Sequence, residues 1–303
     1  MVIMKVFISG GLGFVGVNIV RHLLGKGDTV IITDIPPRNA RIEHPSLTYV
    51  SADTTIPGPW QERVASADMI INLAGASIFG RWTKNYKKLI YDSRILTTRN
   101  IVDAMPAKKG TVLYSTSAQG YYGFHGDEAL TETDTAGSDF LAGVCRDWEA
   151  EAMKAADKGA RVVITRFGIV LGPGGGVLKL MVPLFRLFAG GRTGNGRQWF
   201  SWIHIDDLVG AYIFLLSRKK ISGPVNFCAP GPVTNREFAK SLGKVLRRPT
   251  LFPAPSFAVR LLLGEFGDTI LQGQRVTPAV LTGEGYQFRH PHIEGALRDI
   301  LKS

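Results

Sequence analysis

Residues 7–16, FISGGLGFVG, constrain this chain more than any other stretch: an apolar run breaks into Gly10, Gly11, Gly13 and Gly16 where a helical pattern begins. Gly10, Gly13 and Gly16 form GxxGxxG ahead of a segment whose apolar positions are Phe14, Val15, Val17, Ile19, Val20, Leu23 and Leu24. In such a turn the first glycine bends the chain, the second admits a pyrophosphate to the backbone, and the third lets helix and strand pack closely. The helix start adds partial positive charge and free N–H groups. Gly10, Gly11, Leu12, Gly13, Phe14, Val15 and Gly16 are therefore expected to line a dinucleotide. A ligand-free strand-to-helix connection would share this spacing, but the second β-like run ends in Asp34, where a carboxylate can bond adenosine ribose hydroxyls. Asp34 repels a 2′-phosphate and favours NAD, whereas Arg38 and Arg41 would accommodate that phosphate and favour NADP. Both arginines follow Pro36 and Pro37 in what reads as a solvated loop, so the balance leans to NAD.

Beyond the turn, short apolar β-branched runs alternate with helix-like segments: LTYVSAD, DMIINLAGA, GTVLYSTS and RVVITRFGIVLG follow KVFISG and DTVIITD. Fully apolar strands separated by helices imply a doubly wound parallel sheet covered on both faces. The rhythm changes after Gly172, with GPGGG, a mixed helix, the loop GGRTGNGRQ and the segment WFSWIHIDD. The expected architecture is α/β, Rossmann-like: a dinucleotide-binding domain over 1–175 to which 206–230 returns. A smaller interleaved C-terminal substrate lobe takes 176–205 and 231–303.

A net charge of +11 favours an anionic partner, and the scattered placement of the basic residues argues for a small metabolite over nucleic acid. The two cysteines form no disulfide framework and no Cys/His metal spacing, so no metal is expected. The opening residues carry no secretory pattern and no window has about eighteen uninterrupted apolar residues, which predicts a cytoplasmic chain without membrane association.

Taken together, GGLGFVG, Asp53, NLAGASIFGRW (72–82), SRILTTRN (93–100), STSAQGYYG (115–123), RFGIVLGPGGG (166–176), SWIHIDD (201–207) and QRVTPAVLTGEGYQF (274–288) resemble the extended short-chain dehydrogenases/reductases. The resemblance is closest to the atypical, nucleoside-diphosphate-sugar-epimerase-like branch of the NAD-dependent epimerase/dehydratase superfamily, and it spans nearly the whole chain. It implies that Asp53 touches the adenine edge, that Leu73, Ala74 and Gly75 run beside the nicotinamide-side ribose, and that Arg166 joins the coenzyme contacts. It also implies that Ser117 hydrogen-bonds a substrate oxygen, and that members pair as dimers through the helix containing Tyr86, Leu89, Ile90 and Tyr91.

One expected feature is missing. Ordinary members place Tyr and Lys four residues apart on one helix face, the ammonium favouring a phenolate whose unperturbed pKa is about 10. None of the tyrosines here has lysine four residues on. The helix begun by Ser138 as expected N-cap puts Leu141 and Cys145, or in the adjacent register Ala142 and Arg146, in those places. Cys145 shares an apolar stripe with Leu141, Val144 and Trp148 and reads as a structural thiol; Arg146 is permanently charged and suits the nicotinamide ribose or an anionic ligand. Tyr121 or Tyr122 could replace the proton donor, one facing the cleft while the other packs, with His125 and Asp127 as further candidates. On the substrate side, Arg192 and Arg197 with Trp202 suit an anionic, carbohydrate-like ligand, and Arg81 could close over it. Asp side chains of HIDD are expected to cap a helix.

Overall fold

The computed structural model describes residues 3–35, 42–107, 110–250 and 252–302; Arg38 and Arg41 lie outside them. Seven strands form one sheet: β1 (Lys5–Ser9), β2 (Thr29–Asp34), β3 (Leu47–Ser51), β4 (Met69–Asn72), β5 (Val112–Ala118), β6 (Arg161–Phe167) and β7 (Gly223–Phe227). Every pairing is parallel, and the spatial order is β7-β6-β5-β4-β1-β2-β3. Successive residues of β1 are buried on both faces because helices cover both, which is why Val6, Phe7 and Ile8 are all fully apolar. The register pairs Ile8 with Ile32 on one side and Ile71 on the other.

Helices α1 (Phe14–Gly25), α2 (Lys84–Ala104) and α3 (Phe140–Met153) pack against this sheet. Helix α1 buries Ile19, Val20, Leu23 and Leu24, each contributing about 1.5–3 kcal/mol of burial. A buried polar chain locks α2 and α3 to the sheet. Ser9 Oγ donates to Asn72 Oδ1 (2.6 Å), Asn72 Nδ2 donates to Thr98 Oγ1 (2.8 Å), and Trp148 Nε1 donates to the same hydroxyl (2.8 Å).

The remaining chain forms a second core in which helix Ile293–Lys302 packs with helix Asn235–Leu246 around Phe238, Leu242 and Leu297. Among the described residues two short ribbons stitch this part to the sheet side, Ile169–Leu171 with Trp202–His204 and Ala129–Leu130 with Arg275–Val276. Among the described residues no helix is long and apolar enough to cross a membrane.

Candidate functional site

The strand order reverses between β1 and β4, and ligands of doubly wound sheets bind outside the carboxyl ends of the strands at such a switch point. The glycine turn lies there. Gly10 has φ +71°, and a Cβ on it would stand 3.0 Å from Ala74 Cα at the end of β4. A Cβ on Gly16 would stand 2.5 Å from Gly10 O, so helix and turn touch backbone to backbone. Gly13 caps α1 without a side-chain hydrogen bond, and no acidic residue occupies the first turn. The helix start thus presents donors and partial positive charge with no acidic residue in its own first turn, a cradle that fits a dinucleotide's diphosphate.

Asp34 is buried at the end of β2 and accepts from Leu12 N (3.0 Å) and Ile35 N (2.9 Å). Its carboxylate braces the turn. Asp53 is exposed and caps its own loop by accepting from Thr55 N and Oγ1 (2.9 and 2.7 Å). Leu73 and Ala74 are half-buried and Gly75 is exposed.

Beside the turn, at the carboxyl ends of β5 and β6, the floor is made of side chains. Asp139, not Ser138, caps α3, accepting from Leu141 N (2.9 Å) and Ala142 N (3.2 Å). That start turns Leu141 against the loop at Gly120 and buries Cys145 beside Ser117. The register facing Ser117 is therefore Leu141/Cys145, while Ala142 is buried and Arg146 is exposed and paired with Asp147 at 3.1 Å. Burial, then the Glu149 charge, push the Cys145 thiol up to about 11, with Ser117 and Arg94 working the other way. It stays a neutral thiol.

Ser117 is itself buried and donates its proton to Glu149 Oε1 at 2.6 Å. Glu149 also takes a two-pronged bond from Arg166, Nε at 2.9 Å and Nη2 at 2.8 Å. Arg166 Nη1 donates to Tyr122 Oη (3.0 Å), which donates onward to Asn226 Oδ1 (2.7 Å). Burial opposes the Arg166 charge, and Glu149 outweighs it, holding the group above the ordinary arginine range. Burial pushes the Tyr122 phenol well up.

Several sequence expectations change here. Arg166, expected on the coenzyme, has its donors committed to Glu149 and Tyr122 and is 3% exposed, so it braces the floor. Tyr122 is the packing member of the tandem pair, sealed with its hydroxyl in use; Tyr121 is half-buried, lies 3.5 Å over the Arg166 guanidinium, and makes no hydroxyl bond among the described residues. Trp202, expected at the substrate, is a core residue whose Nε1 donates to Gly231 O (3.0 Å). Arg192 donates to Gly194 O (2.7 Å) within its own loop, Arg197 and Arg81 are exposed, and His125 and Asp127 are bonded to Tyr122 O and to Trp199 Nε1. The helix Ile205–Ser217 is capped by the His204 side chain, which accepts from Asp206 N (3.1 Å); the aspartates do not cap it.

His204, Asp206, His290 and Asp299 gather their polar atoms within 4.8 Å of one another. His204 Nδ1 is an acceptor, which leaves the ring proton on Nε2 facing Asp299 Oδ2 at 3.4 Å. A ring in that tautomer offers this cluster a donor and no lone pair for a metal.

Two residues were missed from the sequence. Glu149 sits on α3 four positions after Cys145, and Arg94 lies inside SRILTTRN; both fell in stretches already singled out. The guanidinium of Arg94 lies against Gly75, where a Cβ would stand 3.2 Å from its Cζ, and it faces the Trp148 ring at 5.3 Å.

A parallel α/β sheet with an open helix start at its switch point defines a dinucleotide-binding protein of the Rossmann type. The chain belongs to the NAD dependent epimerase/dehydratase family, whose model matches residues 6–227; residues 254–300 match a domain of unknown function, DUF1731. It is 38% identical over 303 residues to the chloroplastic homolog of epimerase family protein SDR39U1 of Arabidopsis thaliana, covering 99% of this chain and 87% of that one. An epimerase family protein of Mycobacterium leprae is 40% identical over 296 residues, covering 96% and 94%. Human epimerase family protein SDR39U1, crystallised with NADPH, superposes with a TM-score of 0.86 at 31% identity, covering 99% and 100% of the two chains.

Proposed function

We propose that this protein is an NAD(P)(H)-dependent oxidoreductase or epimerase-like enzyme acting on a nucleotide-linked or phosphorylated carbohydrate. The observation that carries the coenzyme is the uncapped start of α1 over Gly10 and Gly16 at the switch point. The NADPH of the human relative and the NAD of more distant neighbours of this fold support the same class of coenzyme. When bound, the nicotinamide supplies or accepts a hydride. This chain's residues hold the rest: α1 N–H groups bind the diphosphate, Asp34 fixes the turn beside the ribose, and Tyr121 brings an unbonded hydroxyl to the cleft for proton transfer. The carbohydrate reading rests on the basic loop at Arg192 and Arg197 and on the net charge of +11.

The Ser117 hydroxyl hydrogen is committed to Glu149, so toward a ligand it offers lone pairs. Together with Leu141 and Cys145 in the Tyr/Lys places, this favours a second reading, a coenzyme-binding sensor or scaffold without turnover. Titration with NADH and NADPH, then a panel of UDP-sugars and sugar phosphates read by nicotinamide absorbance, separates the two. Turnover that falls by about 10²–10⁴-fold in Tyr121→Phe supports the enzyme with Tyr121 as donor. Coenzyme binding with no turnover across the panel supports the sensor. From Asp34, NADH is expected to bind more tightly than NADPH.

A further inference from the structure

Among the described residues Arg94 is a cation without an anion. Its Nη1 donates to Ile90 O (2.9 Å), and no carboxylate among the described residues pairs with it. Its Nε and Nη2 have no acceptor, yet neither is sealed among the buried unbonded atoms. Burial lowers its pKa, and only Cys145 and Tyr86 offset that effect. The other arginine of the cleft floor, Arg166, carries its own carboxylate partner at 2.8 Å.

The position is specific. Gly10 at the end of β1 and Ala74 at the end of β4 meet at the switch point, and the next residue, Gly75, rests on the Arg94 guanidinium. Ser93 Oγ accepts from Ala76 N (3.0 Å), tying that loop down on α2. The Arg94 guanidinium also faces the Trp148 ring at 5.3 Å, on the same helix whose Glu149 accepts from Ser117, so it lies beside the helix that holds the serine's partner. A reacting or anchoring oxygen there needs a donor, and Ser117 has none left. A half-buried guanidinium with two unused edges is the remaining strong donor, and its fork suits carboxylate or phosphate oxygens.

We propose that Arg94 binds an anionic oxygen of the substrate, carboxylate or phosphate, beside the nicotinamide end of the coenzyme. The inference rests on the coenzyme reading above and specifies the substrate's chemistry: the molecule brings its own negative charge to Arg94.

The test uses the full chain saturated with NADPH and follows bound-coenzyme fluorescence during titration with inorganic phosphate in one arm and oxalate in the other. Wild type is expected to bind at least one of them, and the tighter arm tells phosphate from carboxylate. Arg94→Gln should weaken that binding about tenfold or more, and Arg94→Lys by less, since it keeps the charge and loses the fork. NADPH affinity should stay within about threefold in both variants, a selectivity that mere misfolding would not give. Equal anion affinity in wild type and Arg94→Gln, or no anion binding by coenzyme-loaded wild type, overturns this inference alone. A loss of NADPH affinity as large as the anion loss assigns Arg94 to the coenzyme and also overturns it. Wild type that binds neither NADH nor NADPH removes the coenzyme reading and this inference with it.

Discussion

The glycine turn and the cleft floor lie at the same edge of the sheet and are built on opposite principles. At the turn, contact is made by backbone: Gly10 against Ala74, Gly16 against Gly10, and a helix start without side-chain cap. At the floor, contact is made by side chains of α3, β5 and β6, with Glu149 joining Ser117 to Arg166. A backbone site tolerates no added atom but is indifferent to chemistry. A side-chain site depends on one charge matching another, so change of charge, rather than of size, should undo it.

The largest expected effect falls on the floor. Glu149→Ala leaves the Arg166 charge buried without its partner, and a loss of about 3–5 kcal/mol is expected, read as a shifted urea midpoint. A loss below about 1 kcal/mol would break the contrast, because the floor would then be held by packing. Next is Gly16→Ala, whose added methyl collides with Gly10 O. Strain of about 1–3 kcal/mol is expected, appearing as roughly tenfold weaker NADH or NADPH binding with the Ser117 network intact. Unchanged affinity would mean that the turn is not the ligand's seat.

The smallest effect separates both regions from the cluster around His204. Burial, then the charge of His290 stacked at 3.8 Å, depress the His204 pKa, with Asp206, Asp299 and Asp207 opposing. The unfolded chain binds a proton here before the folded one does, so stability is full above pH about 6.5 and declines as pH falls through the lower folded value. A urea midpoint that falls between neutral and mildly acid pH, and falls less in His204→Asn, is the expected record. If coenzyme affinity drops over the same window while the midpoint holds, the acid sensitivity lies in the turn.

The legibility of each region follows from how far apart its partners are in the chain. Residues 7–16 announce the turn because strand, glycines and helix are contiguous, and Asp34 meets Leu12 only 22 positions away. That no tyrosine has lysine four residues on could likewise be read by inspection. Arg166 was misread because its family place suggested a ligand, while its partners Glu149 and Tyr122 lie 17 and 44 residues off. Trp202 looked like part of a binding loop until the fold set Gly231 opposite its indole. His204 displaced the aspartates as a cap because its buried ring had no other use for Nδ1.

Composition and local pattern therefore determined that this chain makes a doubly wound sheet with a helix start open to a diphosphate, since hydrophobic periodicity and glycine stereochemistry act between neighbours in sequence. Only the tertiary structure decided which charges neutralise one another. Electrostatics acts through space, and among the described residues it left Arg166 with an internal carboxylate and Arg94 with none.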